Sequence, residues 1–193
     1  MQASVRPSSS SEETRARIIA AAKAIYEQNG TRGTTTREVA ERAGVNEATV
    51  FRHFGNKHAL LVAMREEACG VAVMESVLAS LSGDLGNDLR SIAMAMVTLM
   101  HGQRGMMCIS LAEEASAESV PEWRGPLVIK QRLEGYLAEQ IGRGRIRGDA
   151  SVLAAFFLGM CFSYVVGRKI WDSYVVKPAD VDALVDIFLN GVK

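Results

Sequence analysis

The chain has 193 residues, 22 basic and 22 acidic side chains, 48% hydrophobic and 23% charged residues, a composition that fits a folded globular protein and excludes a disordered chain or a disulfide-stapled miniature. The charge balance hides an asymmetry: residues 1–58 hold nine Lys/Arg and six Asp/Glu, leaving 13 basic and 16 acidic side chains for the rest, so a positive head precedes a negative body, as suits a head that meets phosphates. Prolines number four, and Ala, Leu, Met and Glu recur at helical spacing, so the fold class reads as all-α.

Met1 to Ser10 contains no apolar run, so no secretory signal is expected, and residues 1–10 read as a flexible tail in which Arg6 either stays disordered or brushes a minor groove. A first helix is predicted from Ser10 or Ser11, where Ser10 and Glu13 have capping-box spacing, to Asn29 before Gly30, burying Ile18, Ala22, Ile25 and Tyr26. A second follows Gly33, with Thr35 as cap, Glu38 reaching back, Val39 and Ala43 facing inward, and Gly44 ending it. A third runs from its cap Asn46 through Val50 and Phe54 to Gly55. Asn56 then caps a fourth helix that no proline interrupts, and its stripe Leu60, Met64, Ala68, Val71, Glu75 and Leu78 predicts one unbroken helix from head to body. Further helices are expected over about 86–101, 105–118, 122–141, 149–172 and 179–191, about nine in all.

Helices two and three carry the functional signal. A short helix, a Gly-centred turn and a second short helix form the geometry that fits a major groove: the first crosses the backbone with its amides near phosphate, and the second presents side chains to base edges. Val39, Ala43, Val50 and Phe54 are assigned to the core of this head.

The stretch Thr14 to Ala22, the run from Thr34 through Ala43-Gly44-Val45, and the run Asn46-Glu47-Ala48-Thr49-Val50-Phe51-Arg52-His53-Phe54-Gly55-Asn56-Lys57 together resemble the DNA-binding head of the TetR family of bacterial regulators. The resemblance covers residues 12–62 and rests on linked positions: the threonines opening helix two, Ala-Gly-Val at the turn, Thr49, the aromatic pair Phe51 and Phe54, and Lys57. It implies that Thr36 and Arg37 contact phosphate and in places a base edge. It implies further that Glu47, Ala48, Thr49, Phe51, Arg52 and His53 form the recognition surface, and that Lys57 contacts phosphate. Phe51 stands where the family usually has Tyr, so it offers packing or contact with a thymine methyl and no hydroxyl for phosphate. Glu47 either accepts from a cytosine amino group or complements the helix N-terminus.

In the body, Ala155, Gly159, Ser163 and Gly167 recur every four residues, so one face of that helix is lined with small side chains and admits a close neighbour. The resemblance implies a four-helix homodimer bundle built by the last two helices of each copy, here this stripe with Val181, Leu184, Val185 and Phe188; the other reading is that the same face packs within the chain. Methionines at 64, 74, 94, 96, 100, 106, 107 and 160 suggest an adaptable apolar pocket for a hydrophobic or aromatic small-molecule effector, with Met64, Ala68, Val71, Met96, Met100, Trp123, Phe157, Met160 and Tyr164 as candidate lining.

No catalytic site, metal site or cofactor is expected. The three histidines are His53, His58 and His101, no Cys/His cluster has zinc spacing, and Gly142-Arg-Gly-Arg-Ile-Arg-Gly reads as a basic turn. Glu113-Glu114 reads as a solvated helix face. Cys69, Cys108 and Cys161 are expected as reduced, buried thiols of a cytoplasmic protein, and the uncharged stretch Ser151–Gly167 falls short of a membrane span. The domain reading is a tail over 1–10, a helix-turn-helix over 11–56 and an effector-binding and dimerisation body over 57–193. The functional expectation is a dimeric repressor of palindromic operator DNA released by its effector; the alternative is a ligand-insensitive or activating regulator with the same head.

Overall fold

Gly30 decides where the first helix ends. In the computed structural model, which describes residues 9–114, 124–171 and 177–192, the helical path Ser9–Gly33 (α1) is interrupted at Gly30, whose φ of 66° and ψ of −168° lie in a region open essentially to glycine. The following helices are α2 (Thr36–Ala43), α3 (Glu47–Phe54), α4 (Lys57–Cys69), α5 (Val71–Ala79), α6 (Leu85–Gly102), α7 (Arg104–Glu114), α8 (Gly125–Gly142), α9 (Ala150–Trp171) and α10 (Pro178–Val192). The fold is all-α, with no strand among the described residues. The reading of residues 1–8 lies outside the described residues.

The expected unbroken fourth helix is corrected. Gly70 adopts φ 77° and ψ 23° and separates α4 from α5, a left-handed conformation that costs other residues about 1–2 kcal/mol. A Cβ at Gly70 would run into the Leu99 side chain of α6, with Cδ2 nearest and Cδ1 and Cγ at 3.0 Å. Glycine therefore serves two needs here, the turn and the close approach of α6.

The described chain divides into two compact units, Met1–Ala68 with Gly105–Trp123, and Cys69–Arg104 with Arg124–Lys193. The core of the first gathers Ile18, Ala22 and Tyr26 of α1, Val39 of α2, Val50 of α3, Leu60, Leu61 and Met64 of α4, and Met106 of α7. In the second, α6 packs against α5, α9 and α10, and α8 against α5 and α9. Leu89, Ile92, Ala93, Met96 and Val97 supply the buried face of α6, and Phe157 meets Phe188 edge-on with ring centroids 5.1 Å apart.

A buried carboxylate organises the loop before α6. Asp88 accepts from the Ser82 N–H (2.7 Å), the Ser82 hydroxyl (2.9 Å), the Gly83 N–H (3.1 Å) and the Tyr136 hydroxyl (3.1 Å), so its burial leaves few lone pairs unmet. Burial, then the Asp88 charge, raises the Tyr136 hydroxyl above its ordinary pKa. None of the three cysteines is in a disulfide; Cys69 and Cys161 are buried, and burial pushes the Cys161 thiol up to about 12. Cys108 departs from expectation, standing exposed on the outward face of α7.

Candidate nucleic-acid interface

The helix pair α2–α3 is built by its caps. The Thr35 hydroxyl oxygen accepts from the Glu38 N–H at 3.2 Å while the Glu38 carboxylate accepts from the Thr35 N–H at 3.4 Å and its hydroxyl at 2.9 Å, the reciprocal arrangement read from the sequence. Gly44 turns the chain at φ 67°, and the Val45 N–H returns to the Ala40 carbonyl at 3.0 Å. Asn46 starts α3 by accepting from the Thr49 N–H at 2.8 Å, and Gly55 at φ 80° ends it. Asn56 repeats the device for α4, accepting from the Ala59 N–H at 2.8 Å.

These caps leave α3 with one buried anchor, Val50, and an open face of Glu47, Ala48, Phe51 and Arg52. Phe51 is 45% exposed, a large apolar ring held in solvent with no core role, whereas Phe54 packs against the core and lies under the Arg15 guanidinium, 5.3 Å from the ring centroid. Thr49, His53 and Lys57 are half-buried at the edges of the same face. The Thr49 hydroxyl donates to Asn46 Oδ1 at 2.7 Å. On α2, Arg37 is exposed and pairs with Glu41 at 3.2 Å, a contact worth little in water and easily exchanged for a phosphate. The Thr36 hydroxyl donates to Glu47 Oε1 at 2.6 Å, so Glu47 ties the start of α2 to the start of α3.

Behind this face lies a charged cluster that local patterns misplace. Glu113, expected on a solvated face, is 8% exposed and belongs to the first unit. Its Oε2 accepts from the Tyr26 hydroxyl (2.6 Å), Arg65 Nη2 (2.9 Å) and the Thr31 hydroxyl (2.9 Å), and its Oε1 from the Thr31 N–H (2.5 Å). Burial raises the Glu113 carboxyl, but the bonds from Tyr26 and Thr31 and the Arg65 charge outweigh it and hold the group below its ordinary value. For Tyr26, burial leads and the bond to Glu113 adds to it, so its hydroxyl stays protonated and donates. The signal was present in the spacing: Leu61, Met64, Arg65 and Ala68 stand at i, i+3, i+4 and i+7, which puts Arg65 on the buried face of α4.

The expected effector residues are divided between the two units. Met64 and Ala68 belong to the core of the first unit; Val71, Met96, Met100, Phe157, Met160 and Tyr164 belong to the second, and Trp123 lies outside the described residues. Met96 and Phe157 are closed core, Val71 and Met100 are half-buried, and the Tyr164 hydroxyl donates to Asp180 at 2.8 Å. Met160 and Tyr164 instead line an open groove with Ala155, Phe156, Gly159, Ser163 and Leu184, bringing members of the two expected sets to one place. Val181, Val185, Phe188 and Gly167 are buried within the chain itself, so their side chains are already covered.

A family model of bacterial regulatory proteins, tetR family, matches residues 18–64, from within α1 to within α4. Over 185 residues, 93% of this chain and 97% of the relative, the sequence is 30% identical to the uncharacterized HTH-type transcriptional regulator YvkB of Bacillus subtilis (strain 168). The chain belongs to the TetR family. As a TetR-family member it is a DNA-binding transcriptional regulator and not an enzyme. Two solved structures share this all-α fold. FadR from Bacillus subtilis in complex with stearoyl-CoA aligns with TM-score 0.74 and 20% identity, covering 92% of this chain and 99% of that one. The flavonoid-responsive regulator FrrA aligns with TM-score 0.69 and 19% identity, covering 94% and 98%.

Proposed function

We propose that this TetR-family regulator is a homodimeric, cytoplasmic repressor that binds palindromic operator DNA and is released by a hydrophobic or aromatic small molecule. The observation that carries the reading is the face of α3: Glu47, Ala48, Phe51 and Arg52 stand in solvent while Val50 and Phe54 anchor the helix on the core. In this reading Arg52 donates to a guanine edge, Phe51 and Ala48 meet thymine methyls, and Thr49 and His53 border them. Thr36, Arg37 and Lys57 hold phosphates and set the register. Glu47 orients Thr36 through their hydrogen bond and accepts from a cytosine amino group with its other oxygen. The functional division, 11–56 for DNA and 57–193 for effector and dimer, differs from the division into compact units because α4 and α7 complete the core behind α2 and α3.

The groove along α9 and α10 is assigned to the partner copy. Phe156 is 58% exposed, Val152 65% and Ile187 64%, an apolar face next to the small residues Ala155, Gly159 and Ser163, and a second copy would cover it. α9 is long and apolar enough by composition to cross a membrane, but its alternation of buried Leu153, Ala154, Phe157 and Cys161 with this open face is that of a core helix at an interface. The effector is assigned to the methionine-rich second unit, where Met96 and Met100 flex at low cost to admit an apolar molecule beside Phe157. Relatives of the same fold carry names that speak of stearoyl-CoA and flavonoids, which supports that chemical class.

Selection from a random-sequence duplex pool tests the reading. The expected product is a palindrome whose half-sites are about 34–36 Å or a multiple apart, protected by two copies. Enrichment of no sequence, or of an asymmetric site protected by one copy, refutes it.

A further inference from the structure

The buried cluster around Glu113 touches the chain where α1 gives way to α2. Gly30 breaks the helix, so the Thr31 N–H loses its regular helical acceptor; Glu113 Oε1 replaces it at 2.5 Å, and a Cβ added at Gly30 would stand 2.9 Å from the same oxygen. Four residues of chain then lead to the DNA-facing end of α2. The Thr34 hydroxyl, fully buried, donates to the Gly30 carbonyl at 2.8 Å, Thr35 caps α2, and Thr36 bonds Glu47 of α3. Each link is a hydrogen bond or a cap, so a displaced Thr31 carries the start of α2 with it.

We infer that Glu113 of α7 is a positioning residue for DNA binding: it fixes the turn at Gly30 and Thr31 and so places Thr36, Arg37 and the α3 face against the duplex. Arg65 of α4 is the counter-charge that lets a carboxylate stay ionised there, since an unpaired buried carboxylate would be protonated or expelled. The inference rests on the DNA-binding reading of α2 and α3 above. A purely structural ion pair would need only Arg65 and Glu113; the two bonds from Thr31 point to the turn as its object.

The discriminating variant replaces both charges, Arg65→Met with Glu113→Leu. Exchanging a buried ion pair for apolar side chains of similar volume is often neutral or stabilising, so thermal stability is expected to return to the wild-type value. The Thr31 acceptor stays absent. Amide exchange at Thr31 is therefore expected to quicken about ten-fold or more, and affinity for the duplex that the wild-type protein selects from a random pool to fall about ten-fold. Native stability with native affinity would overturn the positioning role and leave a structural ion pair. Thr31→Val, which removes the hydroxyl bond to Glu113 and spares Arg65, Glu113 and the Thr31 N–H bond, is the second test should the double variant not fold: affinity of the folded variant reduced about three-fold supports the role, and unchanged affinity overturns it. Failure of the wild-type protein to select any duplex would instead sink the DNA-binding reading and the positioning role with it, an outcome distinct from a failure confined to the variants.

Discussion

Replacing Gly70 by Ala probes the correction to the expected long helix and separates two causes of strain. The left-handed backbone at φ 77° costs an L-residue about 1–2 kcal/mol, and forcing a methyl against the Leu99 side chain adds about 1–3 kcal/mol of overpacking. Reduced freedom of the unfolded chain returns about 0.4–1 kcal/mol. The expected net loss is about 1–4 kcal/mol. Gly83 supplies the control: its φ is 86°, but nothing lies within 4 Å of an added Cβ, so Gly83→Ala carries the backbone cost alone, about 0–1.6 kcal/mol after the same offset. Urea unfolding at fixed protein concentration, which holds any dimer linkage constant, reads both. Equal losses for the two variants would mean that Leu99 does not crowd Gly70, and a Gly70→Ala variant as stable as wild type would restore the continuous helix.

Three further outcomes are expected. Arg52→Ala should cost about 1–3 kcal/mol on the selected duplex and relax preference at one position, whereas Lys57→Ala should weaken all duplexes and lower the salt slope by about one unit; fluorescence titrations at several salt concentrations separate them, and identical behaviour would refute the split between base and phosphate. Phe156→Glu places a charge on a 58% exposed ring position, so the unit should fold while sedimentation shows monomers; a native dimer would take Phe156 out of the interface. Because the folded Glu113 carboxyl lies below its ordinary value, its stabilising contribution is complete above the ordinary carboxylate range and is lost as pH falls through the lowered value. Urea midpoints across that range should fall more steeply for wild type than for Glu113→Gln, and parallel curves would refute the assignment.

The head was legible because its signals are local. Thr35 and Glu38, Asn46, Asn56, Gly44 and Gly55 each act on chain within four residues, so caps and turns read from spacing reappear as geometry. Gly70 was not legible for the opposite reason. Its reason for being glycine is Leu99, 29 residues on in the numbering, while the apolar stripe from Leu60 to Leu78 continues in phase across it. Isolated Gly within a helical pattern is tolerated at about 1 kcal/mol, so periodicity outvoted it. The body's small-residue stripe was legible as a face, Ala155, Gly159 and Ser163 lying together along one groove. Spacing could not tell that Val181, Val185 and Phe188 are buried within the same chain, where α10 packs on α6 and Phe188 meets Phe157 of α9, since an amphipathic stripe says that a face is covered and not by which copy.

The Glu113 cluster marks the same boundary from the side of electrostatics. Taken singly, Arg65 before Glu66-Glu67 and Glu113 beside Glu114 read as solvated charges, because burying either alone is costly. Taken together they cancel that cost, and each sits on the apolar face of its own helix: Arg65 in phase with Leu61, Met64 and Ala68, and Glu113 in phase with Met106 and Ser110. A charged residue in register with a buried stripe is therefore evidence for a second one of opposite sign elsewhere in the chain. Tyr26, in phase with Ile18, Ala22 and Ile25, completes the pattern, since a buried phenol needs a partner for its hydroxyl. Three stripes with one polar member each, on α1, α4 and α7, define one site: a carboxylate held by a phenol and a guanidinium, with its remaining lone pairs turned to the first irregular turn of the DNA-binding head.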